Sequence, residues 1–305
     1  MHTVPSPSFG ETSATFSLHI IQHFFVFRNC LQHFSVWAIC GTHCWGSLLH
    51  KMQRESQMSF TAVMDSGVGG LSVLQKLQEV CPQNNFVYLA DHAFCPYGTK
   101  QPNQILQRSL QIASFLRRMG ASCIVVACNT ASVFSAEIRK RVQLPVFDVI
   151  FPTCVQVKQK TLNKRVALLA TNATVQSGVY QRILSAMQIQ TVALPCSEFV
   201  PLVENCANQT TRYRVIEARL HSLRAVGADT VVLGCTHFPF LQEEISRCVP
   251  NCKILSCSQP VSQLFAKCFR ASQNAKLQCF TTGCPQQATA AARQCGKFQF
   301  VHLKV

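Results

Sequence analysis

The sequence predicts an α/β protein of two pseudo-symmetric, doubly wound domains, with parallel sheets and an active site at their interface. Three observations carry this expectation. Short apolar runs alternate with stretches of helical spacing from Met58 onward. Landmarks at the ends of those runs recur at offsets of 105 to 108 residues. Two of the runs end in cysteine, Val125-Val126-Ala127-Cys128-Asn129-Thr130 and Val231-Val232-Leu233-Gly234-Cys235-Thr236-His237. Strands joined by crossover helices lie parallel, with helices on both faces of the sheet. A constant offset argues for duplication of one α/β half.

The elements follow in order. Phe60–Met64 reads as a strand, Asp65–Gly70 as its exit loop, and Leu71–Leu77 as the start of a helix. Asn85–Asp91 is the second strand and leads into Pro96-Tyr97-Gly98-Thr99. Helices are expected over roughly 103–119 and 131–141, on either side of the Cys128 strand. Pro145–Ile150 is the fourth strand. The order then repeats with strands Arg165–Thr171, Thr191–Cys196, the Cys235 strand and Lys253–Ser256, and with a loop at Phe199-Val200-Pro201. Thr171 answers Asp65, Cys196 answers Asp91, Pro201 answers Pro96, Cys235 answers Cys128, and Ser256 answers Asp148. The tail, roughly 260–305, holds a helix-like stretch and the strand Gln299–Leu303, and is expected to cross back to the first half. The expected domains are therefore 58–153 plus 260–305, and 154–259.

Residues 1–57 differ in kind. They hold both tryptophans and six of the ten histidines, with no sustained periodicity. The apolar stretch Phe16–Phe27 is too short to span a bilayer, and no basic region and apolar core make a signal peptide. Cys30, Cys40, His43 and Cys44 match no common zinc spacing. The expectation is an extension outside the folded domain, with Met58 a natural start. The 18 cysteines include no CxxC pair in a long chain, which fits reduced thiols. The net charge is +15, yet no Lys/Arg run or aromatic–basic interleaving marks a nucleic-acid face.

Glycines between a strand and a helix suggest a dinucleotide fingerprint, but Ser72 stands where the third glycine belongs, and Asp65 would repel a phosphate. The better expectation is a loop whose amides approach a small ligand, with Asp65 facing a cationic amino group. Cys128 lies at a strand-to-helix junction, where amide dipoles favour thiolate. Two facing thiols, one ionised and one protonated, suffice to invert a carbon centre with no metal or organic cofactor. Asp65 is the expected partner of Cys128. His237 is the expected partner of Cys235, steadied by Glu204.

Four motifs extend this. Asp65-Ser66-Gly67-Val68-Gly69-Gly70, Pro96-Tyr97-Gly98-Thr99, Ala127-Cys128-Asn129-Thr130-Ala131-Ser132 and Gly234-Cys235-Thr236-His237-Phe238-Pro239 resemble, in order and spacing, the glutamate racemases of the cofactor-independent aspartate/glutamate racemase superfamily. The resemblance covers about 58 to 305. It implies interconversion of L- and D-glutamate, supplying D-glutamate for peptidoglycan in a bacterial cytoplasm. No cofactor or metal and no nucleic-acid or membrane partner are expected, and a homodimer is the oligomer to consider. By position the resemblance gives Cys128 and Cys235 the paired proton-transfer roles, assisted by Asp65, Glu204 and His237. It gives substrate contacts to Asp65, Ser66, Tyr97, Gly98, Asn129, Thr130, Thr236 and His237. Phe238 departs from the tyrosine common in the family, and the loop Asp91-His92-Ala93-Phe94-Cys95 is unusual before Pro-Tyr-Gly. The competing readings are a racemase of aspartate or a hydantoin, a dinucleotide-dependent enzyme, and a basic nucleic-acid-binding protein.

Overall fold

The computed structural model describes residues 59–268 and 275–305. The expected extension 1–57, with its Cys30, Cys40, His43 and Cys44, lies outside the described residues. The first half runs β1 (Phe60–Asp65), α1 (Leu71–Val80), β2 (Phe86–Ala90), α2 (Pro102–Arg118), β3 (Ala121–Val126), α3 (Asn129–Ser132), α4 (Ser135–Val142) and β4 (Val146–Asp148). After α5 (Ile150–Lys160) come β5 (Arg165–Ala170), α6 (Asn172–Ser177), α7 (Val179–Ala186), β6 (Gln190–Pro195), α8 (Phe199–Glu204) and α9 (Gln209–Leu220). Then follow β7 (Thr230–Gly234), α10 (Gln242–Cys248), β8 (Lys253–Ser256) and α11 (Ser258–Cys268). The tail adds β9 (Leu277–Thr281), α12 (Pro285–Ala292) and β10 (Phe300–His302).

Two parallel sheets result, ordered β10-β9-β2-β1-β3-β4 and β6-β5-β7-β8. The first four strands of each half thus take the same 2-1-3-4 order. In that order the chain winds away from β1 on one side and returns on its other side at β3. The crevice beyond the strand ends opens at this reversal. Val126 pairs beside Met64, and Gly234 beside Ala170, so Cys128 and Cys235 leave their sheets at corresponding crevices.

Local chemistry explains the elements. The central strands are apolar and buried along almost their whole length, as both-faces-covered parallel strands require. α2 starts on Pro102 with a reciprocal cap between Gln101 and Gln104, and ends on Arg117 and Arg118. It buries Ile105, Ser109, Ile112, Ala113 and Leu116, the helical spacing of one inward face. One apolar core continues through both halves, joining Val63, Leu74 and Phe86 with Leu169, Phe199, Leu233 and Phe265. α11 packs on both α1 and α5, tying the halves together.

Some expectations are corrected. The helix at 131–141 is two helices, α3 and α4, separated at Val133 and Phe134. The fourth strand ends at Asp148, whose Oδ1 accepts from the amides of Ile150 and Phe151 and so starts α5. Phe199-Val200-Pro201 is the first turn of α8, with Pro201 early enough in the helix to need no intrahelical donor bond. Strand β9 was not anticipated. It is half exposed, and its pairing with β2 and β10 defines it more than its own apolar content.

Candidate active site

The ends of β1, β3, β5 and β7 converge on one buried polar cluster. Cys128 is 5% exposed, and its thiol points to the Ser66 hydroxyl, Sγ to Oγ 3.8 Å. Burial, followed by the charge of Asp65, pushes this thiol up to about 12, against the Ala131 amide and Ser66 hydroxyl, which pull it down. The amide effect expected at this junction is therefore present but outweighed. α3 is only four residues long and offers a correspondingly small dipole.

Cys235, also 5% exposed, has a different neighbour. Its Sγ lies 3.7 Å from His237 Nδ1, while His237 Nε2 lies 2.6 Å from Glu204 Oε1. With Nε2–H donated to the carboxylate, Nδ1 is left to exchange a proton with the thiol. Burial would lower the imidazole's affinity for a proton, but Cys235 and Glu204 together raise it well above the ordinary histidine range. Burial likewise works against ionised Glu204. The bonds from His237 and His92 prevail and hold it well below the usual carboxylate range. The Cys128 thiol also responds to the opposite sulfur, since a negative charge at Cys235 raises it further.

Asp65 bridges the two halves. Its Oδ1 accepts from the Thr236 hydroxyl at 3.1 Å, and its Oδ2 from the Gly67 amide at 3.1 Å. Burial raises its own pKa above the usual value, opposed by His237. Asn129 Oδ1 accepts from Tyr180 Oη at 2.6 Å, and its Nδ2 lies 3.5 Å from Cys257 Sγ. Thr130 Oγ1 is 2.9 Å from Thr171 Oγ1 and 3.2 Å from Thr174 Oγ1. The Tyr97 hydroxyl donates to Asp91, which also pairs with Arg108 through two bonds of 2.7 and 2.5 Å. The cluster thus brings together Asp65, Ser66, Asn129, Thr130, Thr236, His237, Glu204 and both cysteines. Tyr97 enters it with its hydroxyl turned to Asp91.

The glycine loop also packs closely against the second half. A Cβ on Gly67 would lie 2.0 Å from Glu204 Oε1, and one on Gly69 would lie 2.4 Å from His237 Nδ1. A Cβ on Gly98 would lie 2.5 Å from Thr171 Cβ. The Val68 amide donates to Glu204 Oε1 at 2.9 Å. These glycines let backbone from the first half touch side chains of the second, and protein carboxylates take the loop amides.

Sequence reasoning missed Thr171, Tyr180, Cys257 and His92 as members of the cluster. Thr171 was a repeat landmark, and His92 and Cys257 each follow one (Asp91 and Ser256). In a duplicated doubly wound fold such landmarks mark strand ends, and strand ends line the crevice.

Paired thiols between two parallel α/β halves, one backed by an imidazole–carboxylate pair, define a racemase type of site. The chain belongs to the Asp/Glu/hydantoin racemase family, which it matches over residues 62–260. It is 37% identical over 223 residues to the glutamate racemase of Aquifex pyrophilus, spanning 72% of this chain and 87% of that one. Its fold is similar to glutamate racemase isoform RacE1 of Bacillus anthracis, with a TM-score of 0.76, 26% identity, and coverage of 81% of this chain and 97% of the other. It is also similar to the Francisella tularensis glutamate racemase solved with D-glutamate, with a TM-score of 0.74, 26% identity, and 81% and 97% coverage.

Proposed function

We propose that this chain is a glutamate racemase that interconverts L- and D-glutamate by a two-thiol 1,1-proton transfer. The observation that carries the proposal is the pair Cys128 and Cys235, at matching strand ends but with unlike partners. One thiolate removes the α-proton from one face of the bound amino acid. The opposite thiol delivers its own proton to the other face. The substrate leaves with its proton count unchanged and its configuration inverted, and the two sulfurs have exchanged protonation states. Cys128 enters as the protonated partner. His237 accepts the proton that Cys235 releases, and Glu204 holds the imidazole in the tautomer that can do so.

Asp65, Ser66, Tyr97, Gly98, Asn129, Thr130, Thr236 and His237 are the proposed substrate contacts. Segments 58–153 with 260–305, and 154–259, are the proposed domains. The 37% identity to a glutamate racemase supports glutamate as substrate. We place the enzyme in the cytoplasm, supplying D-glutamate for peptidoglycan. Polarimetry or circular dichroism on dialysed protein tests the reading, with L-glutamate, L-aspartate and a substituted hydantoin in parallel. Glutamate should racemise with nothing added. Turnover of aspartate alone would overturn the substrate assignment, and a requirement for nicotinamide would overturn the chemistry.

A further inference from the structure

Glu204 carries a second imidazole that the proton transfer above does not use. His92, in the short turn after β2, places Nε2 3.2 Å from Glu204 Oε2, while His237 occupies Oε1. On its other side, His92 Nδ1 lies 2.9 Å from the hydroxyl of Thr281, a fully buried residue at the end of β9. Thr281 Oγ1 in turn accepts the Gly283 amide at 3.1 Å. One assignment of hydrogens satisfies every partner. Gly283 N–H donates to Thr281, the Thr281 hydroxyl donates to Nδ1, and Nε2–H donates to Glu204. The tail also grips the turn around His92. The Ala93 amide donates to Thr282 Oγ1 at 3.1 Å, and the Phe300 ring stands edge-on to the imidazole, with centroids 6.3 Å apart.

We propose that His92 is a positioning residue for racemisation. It fixes the second oxygen of Glu204 and thereby sets the orientation of His237 toward Cys235, with Thr281 setting its tautomer. The inference rests on the racemase reading for its kinetic consequence but not for its geometry. A carboxylate held at one oxygen swings about its terminal bond. One held at both presents a fixed acceptor to the imidazole, and proton transfer depends steeply on such placement. Strand β9 of the C-terminal tail thus takes part in the site from its place beside β2.

The test combines kinetics with a spectroscopic readout. His92→Leu should lower kcat for glutamate racemisation about tenfold with KM little changed, the scale of a lost hydrogen bond to a charged group. His92→Gln, which keeps a donor, should recover most of that loss. His92→Leu added to Glu204→Gln should lower kcat no further, because the residue acts only through that carboxylate. In 15N-histidine-labelled protein, the His237 ring N–H signal should move in His92→Leu and stay put in a variant of the exposed His221, His221→Ala. Thr281→Val probes the same chain should the leucine variant fold poorly, and it should move the same signal. Full kcat in His92→Leu, additive losses with Glu204→Gln, or an unmoved His237 signal would each overturn the proposal. A wild type inactive on glutamate sinks the function reading alone, and the spectrum then decides this one.

Discussion

The corner around Cys128 and the corner around Cys235 occupy the same place in two sheets of the same strand order, yet their chemistry differs. At Cys128 the neighbours are a hydroxyl and, through space, the negative charge of Asp65, and both burial and that charge keep the thiol protonated. At Cys235 the neighbour is an imidazole whose proton affinity is raised and whose far nitrogen is held by Glu204. The shared strand order supplies the matching positions, and the unlike adjacent residues supply the inequality. A two-base mechanism needs that inequality, since one sulfur must give a proton while the other takes one.

The largest effects should come from removing either sulfur. Cys128→Ser and Cys235→Ser should each reduce racemisation by roughly 10²–10⁴-fold, the range for loss of a positioned acid or base. Steady-state rates above half of wild type in either variant would remove the symmetry from the account.

Next comes the pair behind Cys235. Glu204→Gln leaves a buried imidazole without its charged partner, which costs roughly 3 kcal/mol in comparable pairs. Glu204 is held below its ordinary range in the folded state, so its contribution is full above the unfolded value of about 4.3 and fades as pH falls below it. His237 is raised above its ordinary value. Its contribution is full below about 6.5 and fades as pH rises through the folded value. The stability gap between wild type and Glu204→Gln should therefore peak between those limits. Thermal unfolding across pH checks this, and a gap that is flat with pH would count against the pairing.

A smaller effect is expected at the glycine loop. Gly67→Ala forces a methyl group against Glu204 Oε1 and should cost about 1–3 kcal/mol, typical of overpacking. Chemical denaturation measures it. Gly120→Ala meets no atom within 4 Å, but its φ of +99° strains any side chain, so a loss there reports backbone strain and not contact.

Much of this arrangement was legible in the sequence because strand ends are. Buried parallel strands are apolar to their last residue, so Cys128 and Cys235 stood out where the apolar run stopped. His237 followed by adjacency. The repeat offset implied the same succession of elements in both halves, and the two sheets share the 2-1-3-4 strand order. Contacts between the halves were not legible, because they join residues whose separations follow no period. Glu204 on Val68, Tyr180 on Asn129 and Thr171 on Thr130 depend on how two sheets meet. The net rise in the Cys128 pKa was not legible for a related reason. A junction of strand and helix is visible in sequence, but burial and the approach of Asp65 are not. The tail's strand β9 escaped because its partner strand is nearly two hundred residues earlier.

The most direct test of the two unequal thiols is α-proton exchange of each pure enantiomer in deuterated water by Cys128→Ser and Cys235→Ser. With one sulfur left, deprotonation and return occur on one face only, so exchange can proceed without inversion. The two variants should exchange opposite enantiomers. Exchange of the same enantiomer by both variants would contradict this.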